Sequence, residues 1–179
     1  MDLRSVLLEI QTALDDARID YALIGGLALA AHGAGRATVD LDLLADGERA
    51  DDVDRLLLAH GYQCIHRNDH VGNYASEDAR RGRIDFLFVS RDYGRAMLRR
   101  SRPHPILGRS IAVVDASDLI GLKVQSSSND PSRMRRDLAD IERLLQTGEL
   151  DPDRIREYFS LFDREKELDA LLVEQRSRR

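Results

Sequence analysis

A second cysteine is missing from this sequence. Cys64 stands alone, so no internal disulfide can form and no thiolate pair sits at metal-ligand spacing, which fits a reducing compartment. Its setting predicts a half-buried strand residue. Also missing are an apolar run long enough to cross a bilayer and a cationic-then-apolar leader, so no membrane partner is expected and the chain is placed in the cytoplasm. A basic excess is missing too: the net charge is −5, which argues against a dedicated coat for nucleic acid. Arg91, Arg95, Arg99 and Arg102 recur at spacings of four, four and three, and would form one basic stripe if 91–102 were helical. No aromatic residues interleave with them to stack bases. There are no repeats and no low-complexity tract. No flexible linker appears apart from Ser126-Ser127-Ser128-Asn129 and an Arg-rich tail at 176–179.

What is present describes an ordinary globular chain, with 179 residues, 42% hydrophobic and 33% charged. That length allows one core with a small helical appendage. Leu3, Val6, Leu7, Ile10 and Leu14 have amphipathic spacing and predict a helix from about Asp2 to Arg18. Tyr21 to Ile24 reads as a strand stopped by Gly25-Gly26, followed by a short buried helix through Leu27 to Ala31. Thr38 to Leu44 predicts a second strand, with Val39, Leu41 and Leu43 on one face and Thr38, Asp40 and Asp42 on the other. A helix over 48–59 and a weaker strand pair over 62–77 follow. Arg83 to Val89 is a clear strand, with Ile84, Phe86 and Phe88 sharing one face and Asp85 on the other with Arg83 and Leu87. A helix near 91–101 and a strand at 109–114 complete the mixed part. From Asp115 onward the pattern is helical, punctuated by Asp130-Pro131, Gly148 and Asp151-Pro152. The division is set there, with residues 1–114 as a catalytic core and 115–179 as a helical C-terminal lobe.

Asp40 and Asp42 are two apart on one strand, so both carboxylates leave the same face. Like charges that close are costly unless a cation or a shared proton neutralises them, and hard oxygen ligands at this spacing suit Mg²⁺ or Mn²⁺ completed by substrate phosphates. Asp85 supplies a third carboxylate from another apolar strand. Three such groups on one sheet face can hold two divalent ions, one for the attacking oxygen and one for the leaving pyrophosphate. Upstream, Gly25-Gly26 is either a tight turn or a place where phosphate oxygens approach backbone amides.

Ile24-Gly25-Gly26, thirteen intervening residues, Asp40-Leu41-Asp42-Leu43 and the later Ile84-Asp85-Phe86 together resemble the nucleotidyltransferase superfamily. Arg36-Ala37-Thr38-Val39-Asp40-Leu41-Asp42, with Lys123 and Arg136-Asp137-Leu138-Ala139-Asp140-Ile141, is similar to its branch of abortive-infection toxins from type IV toxin–antitoxin systems, which usually has lysine where Arg136 stands. The resemblance implies an α/β (α+β) fold, a small mixed sheet flanked by helices, and a helical lobe closing over the cleft. It implies transfer of a nucleoside monophosphate from a nucleoside triphosphate to an acceptor hydroxyl. Asp40, Asp42 and Asp85 would be metal ligands, Asp85 also the candidate base, and Gly25, Gly26 and Lys123 nucleotide contacts; Arg36 and Thr38, which precede Asp40 on its strand with Thr38 on the carboxylate face, are either phosphate contacts or structural residues. Asp137 would line the acceptor side. The branch points to a tRNA acceptor and a cognate antitoxin partner. Nucleotidylation of a protein or of a small molecule such as an aminoglycoside is the alternative, and a non-catalytic nucleotide- or partner-binding module is the third possibility.

Lys123 and Asp137 carry a second message. At about 100° per residue both fall inside the apolar arcs of their helices, where charge must be paired or used. A buried Lys123–Asp137 salt bridge and a catalytic role both satisfy that requirement. His66, Asp69 and His70 fall in strand and turn, where a spacing of four does not converge on a metal.

Overall fold

The computed structural model describes residues 2–148 and 150–177, so the last two positions of the Arg-rich tail lie outside the described residues. The chain divides into two compact units, Met1–Ala31 with Arg36–Val114, and His32–Gly35 with Asp115–Arg179.

In the first unit the elements are α1 (Leu3–Asp16), β1 (Tyr21–Leu23), α2 (Gly25–Ala31), β2 (Asp40–Asp46), α3 (Ala50–Ala59), β3 (Gln63–Arg67), β4 (Val71–Ala75), β5 (Arg83–Val89), α4 (Asp92–Arg100), β6 (Arg102–Ile106) and β7 (Arg109–Val113). The strands form one mixed sheet in the order β3-β4-β5-β2-β1-β7-β6. β2 runs parallel to β5, and β1 parallel to β7, while the other neighbours are antiparallel. The protein is thus a mixed α/β fold with its sheet flanked by helices.

Alternation in β5 places Ile84, Phe86 and Phe88 on the buried face, where Phe86 stacks on Phe88 at 5.8 Å and meets Tyr74 edge-on. Leu41 and Leu43 of β2 are buried as well. Val6, Leu7, Ile10 and Leu14 of α1 are buried, which is the stripe that their spacing predicts. Asp2 caps that helix by accepting from the Ser5 amide. The helix stops at Asp16, two residues before the predicted end, and the chain turns at Arg18 with φ 53°.

Four expectations need correction. β2 begins at Asp40 rather than Thr38 and runs on to Asp46, so Arg36, Thr38 and Val39 belong to an irregular approach, and Val39 is 69% exposed instead of facing the core. Cys64 is exposed, because β3 lies at the rim of the sheet with little packed against it. β6 was not expected at all: Pro103 and Pro105 argue against a strand, yet β6 is the opposite rim, where a proline's missing N–H costs no ladder bond. The arginine stripe is cut short. α4 ends at Arg100, Arg102 starts β6, and Arg95 is engaged with Asp46 and Glu48.

The second unit holds α5 (Ala116–Asn129), α6 (Met134–Leu145), α7 (Pro152–Ser160) and α8 (Glu165–Ser177). α7 packs on α5 where Gly121 leaves room for the Tyr158 ring; a Cβ at Gly121 would lie 2.5 Å from Tyr158 Cδ2. The Tyr158 hydroxyl donates to buried Asp118 at 2.7 Å, and Arg154 bridges Asp115, Asp118 and Asp151. These bonds satisfy a carboxylate that would otherwise be costly to bury. The short segment 32–35 belongs to this unit, where a Cβ at Gly33 would lie 3.8 Å from Thr147 Cγ2. Among the described residues no helix is long and apolar enough to cross a membrane.

Candidate active site

The first unit gathers most of the sequence-selected residues around the start of β2. In the parallel ladder Asp42 lies directly opposite Asp85, and Asp40 opposite Arg83. Because in-register neighbours share a sheet face, Asp42 and Asp85 are like charges side by side, with Asp40 two residues back on the same face. All three are partly exposed, while the residues that alternate with them, Leu41, Leu43, Ile84 and Phe86, are buried.

The glycine pair is fitted against these side chains. The Ile24 amide donates to the Asp42 carbonyl at 3.0 Å, tying the end of β1 to β2. The chain then turns at Gly25 with φ +60°, so close to Asp42 that a Cβ there would lie 1.9 Å from the carboxylate Oδ2. A Cβ on Gly26 would fall 2.4 Å from Thr38 Cβ. Both glycines are therefore required by close approach, and Gly25 also by its left-handed backbone. Gly25→Ala is expected to reduce turnover by about 100-fold through displacement of Asp42, and to cost about 1–2 kcal/mol of stability. Steady-state rates read beside a thermal melt check both.

Thr38 Oγ1 donates to the Asp40 carbonyl at 3.4 Å, and Arg36 Nη1 to the Ala37 carbonyl at 3.3 Å. Asp85 Oδ1 accepts from Asn73 Nδ2 at 2.8 Å and lies 3.5 Å from Arg83 Nη2. Asn73 was not singled out from the sequence. Alternation within a weak strand pair over 62–77 was the signal that could have placed it beside Asp85.

The donor set suits a hard divalent cation, since the side chains offered are carboxylates and two of them repel across a ladder rung. Among the described residues no three His, Cys, Asp or Glu side chains already converge as a metal-binding group, and His66, Asp69 and His70 are no exception. The carboxylates would therefore have to turn toward an arriving cation.

Lys123 and Asp137 lie in the second unit, in a buried cluster of their own. Lys123 Nζ is 3.0 Å from Asp137 Oδ1 and 3.0 Å from Asp140 Oδ2, with Lys123 5% exposed and both aspartates 0%. Arg133 and Arg143 reach the same two carboxylates from the rim at 3.5 and 3.2 Å. Asp140 is the member that the sequence reading passed over. It follows Asp137 by three residues, one helical turn, and so shares its face.

A family model for aminoglycoside-2''-adenylyltransferases matches residues 6–97. No curated protein matches the chain in sequence. Among solved structures, the antibiotic-resistance factor ANT(2'')-Ia is similar with a TM-score of 0.68 at 15% identity, over 100% of both chains. The lincosamide antibiotic adenylyltransferase LnuA, solved with lincomycin bound, is similar with a TM-score of 0.58 at 17% identity, over 78% of this chain and 94% of its own. An antigenic nucleotidyltransferase-like protein from Paracoccidioides brasiliensis gives 0.56 at 19% identity, over 96% and 92%. At such identities the likeness is one of fold.

Proposed function

The chain belongs to the aminoglycoside-2''-adenylyltransferase family and is a nucleotidyltransferase; from that premise we propose that it moves adenylate from ATP to a hydroxyl of a small, polyhydroxylated amine of the aminoglycoside kind. The observation that carries the chemistry is the rung joining Asp42 to Asp85, with Gly25 folded against Asp42. The family match supports the acceptor class. A tRNA acceptor, toward which the abortive-infection resemblance leaned, loses much of its independent support, because Arg102 lies outside α4, Arg95 is engaged with Asp46 and Glu48, and the net charge is −5. A cognate antitoxin has no observation in its favour.

Asp40, Asp42 and Asp85 would hold Mg²⁺ or Mn²⁺. A bound divalent cation supplies charge neutralisation at the triphosphate and lowers the pKa of an oxygen that it touches. The residues do the rest. The acceptor oxygen attacks the α-phosphorus, its proton passes to Asp85, and the bond from that phosphorus to the α,β-bridging oxygen breaks, so that this oxygen leaves with the β- and γ-phosphates as pyrophosphate. The Gly25-Gly26 turn, with Thr38 and Arg36 on the approach to β2, would flank the triphosphate. For Lys123 and Asp137 the buried ion cluster is the reading we favour over a catalytic one, since Lys123 already faces two carboxylates.

The test is to incubate the protein with Mg²⁺ and α-labelled ATP, in parallel with tobramycin, lincomycin and total tRNA. Label on tobramycin, dependent on Mg²⁺, is the expected outcome. Label on tRNA alone would overturn the acceptor class while leaving the transferase chemistry in place. Label on lincomycin alone would move the acceptor to a lincosamide.

A further inference from the structure

Asp85 sits between two unlike neighbours on its sheet face. On the β2 side its cross-strand partner is Asp42, a like charge; on the β4 side it is Asn73, whose amide donates to Oδ1 at 2.8 Å. A carboxylate can only accept, so the amide must present its nitrogen here, and the direction of this bond is fixed by chemistry. The second donor, Arg83, is longer at 3.5 Å, has a side chain 54% exposed, and approaches the same oxygen. Both bonds thus fall on Oδ1.

Asn73 is also a poor choice for its own strand. Asparagine is depleted in strands, and it lies between Gly72, which is packed against the Tyr74 and Phe88 rings, and Tyr74, which is fully buried. A residue that works against local propensity in the middle of a strand marks a place where the fold concedes something to the site.

We infer that Asn73 is a positioning residue for the transfer: by holding Asp85 through Oδ1 against the repulsion of Asp42, it sets which carboxylate oxygen faces the acceptor hydroxyl and the cation. This rests on the transferase reading of the Asp40–Asp42–Asp85 face. The predicted consequence is a loss in the chemical step rather than in nucleotide binding, because Asn73 meets Asp85 and not the glycine turn.

Three variants of the full-length protein test it, Asn73→Ala, Asn73→Asp and Asn73→Gln, by kcat and KM for ATP, by thermal midpoint, and by Mn²⁺ affinity from electron paramagnetic resonance. Asn73→Ala is expected to lower kcat about tenfold, with KM for ATP within about twofold and the midpoint within about 2 °C. Its Mn²⁺ affinity should weaken about threefold, as an unanchored ligand pays more to order. Asn73→Asp has the same shape without the donor and adds a like charge. It should lose more turnover than the alanine variant while binding Mn²⁺ at least as tightly as wild type. Asn73→Gln, which keeps an amide N–H, should recover part of the rate. Losses that simply follow the thermal midpoint, or an aspartate variant as active as wild type, would overturn the inference. If wild type transfers adenylate to no acceptor, the functional reading fails, and the Mn²⁺ titration decides alone: equal affinity in wild type and Asn73→Ala overturns the positioning role, and weakened affinity upholds it.

Discussion

Asp42→Asn is expected to abolish nearly all transfer while leaving the protein as stable as before, or slightly more so. In the proposed role Asp42 is a divalent ligand, and losing one would remove several kcal/mol of charge stabilisation from the transition state, which at about 1.4 kcal/mol per decade is about 10³-fold in rate. The effect on folding has the opposite sign. Asp42 faces Asp85 across the β2–β5 ladder, and like charges directly opposite one another cost about 0.2–1 kcal/mol, so neutralising one should raise the thermal midpoint by about 1–3 °C. Asparagine is close to aspartate in shape, so the fit of Gly25 against the side chain survives. The measurement is turnover of labelled ATP beside melts with and without Mg²⁺. Wild type should melt higher with Mg²⁺, since a ligand that binds only the folded state stabilises it, and the variant should respond much less. A variant that keeps its activity would remove Asp42 from the metal site. One that unfolds would mean that the carboxylate holds the glycine turn in place.

Lys123→Met should produce the largest loss of stability of any single change considered. The ammonium lies 3.0 Å from two carboxylates that have no exposed surface. Removing it leaves Asp137 and Asp140 facing each other in the interior, where breaking a buried ion cluster costs about 3–5 kcal/mol. Arg133 and Arg143 remain at the rim, but each is about half exposed and touches only one carboxylate, so they offset a minor part. The thermal midpoint should fall by about 10 °C. Adding Asp137→Asn and Asp140→Asn to Lys123→Met should restore much of the loss, because the three residues act as one network and their effects are not additive. If Lys123→Met instead melted like wild type but lost turnover, the lysine would belong to the chemistry after all.

Where local pattern and final environment agree, the structure could be read in advance. The alternation of β5 was visible residue by residue, because a strand buried on one face imposes a period of two on its sequence. The Asp40–Asp42–Asp85 grouping followed from the same alternation, and the burial of Lys123 and Asp137 from helical geometry. The failures have a common cause in the neighbours. Val39 alternates correctly with Leu41, yet β2 has not begun there, since the approach through Thr38 is shaped by Gly26. Cys64 was misjudged, and β6 went unexpected, because sequence does not show which strands end up at the rim. Asn73 is less legible for a similar reason: its importance lies in a register partner twelve residues away, and the weak alternation over 62–77 does not by itself give that register. The acceptor is harder still, being a matter of surface shape, on which no motif in this chain speaks.

The prolines of β6 reach beyond the question of assignment. A proline has no N–H, so the ladder from β6 to β7 must draw its donors from Arg102, His104 and Ile106, leaving the outward-facing positions to Pro103 and Pro105. A strand arriving from another molecule would find carbonyl oxygens along that rim and nothing to donate to it. At the far rim β3 is interrupted by a register shift between Cys64 and His66, which breaks the straight run of groups that an added strand would need. An open sheet of seven strands invites sideways growth into fibrils whenever the protein is concentrated, and here each end of the sheet carries its own barrier to that growth.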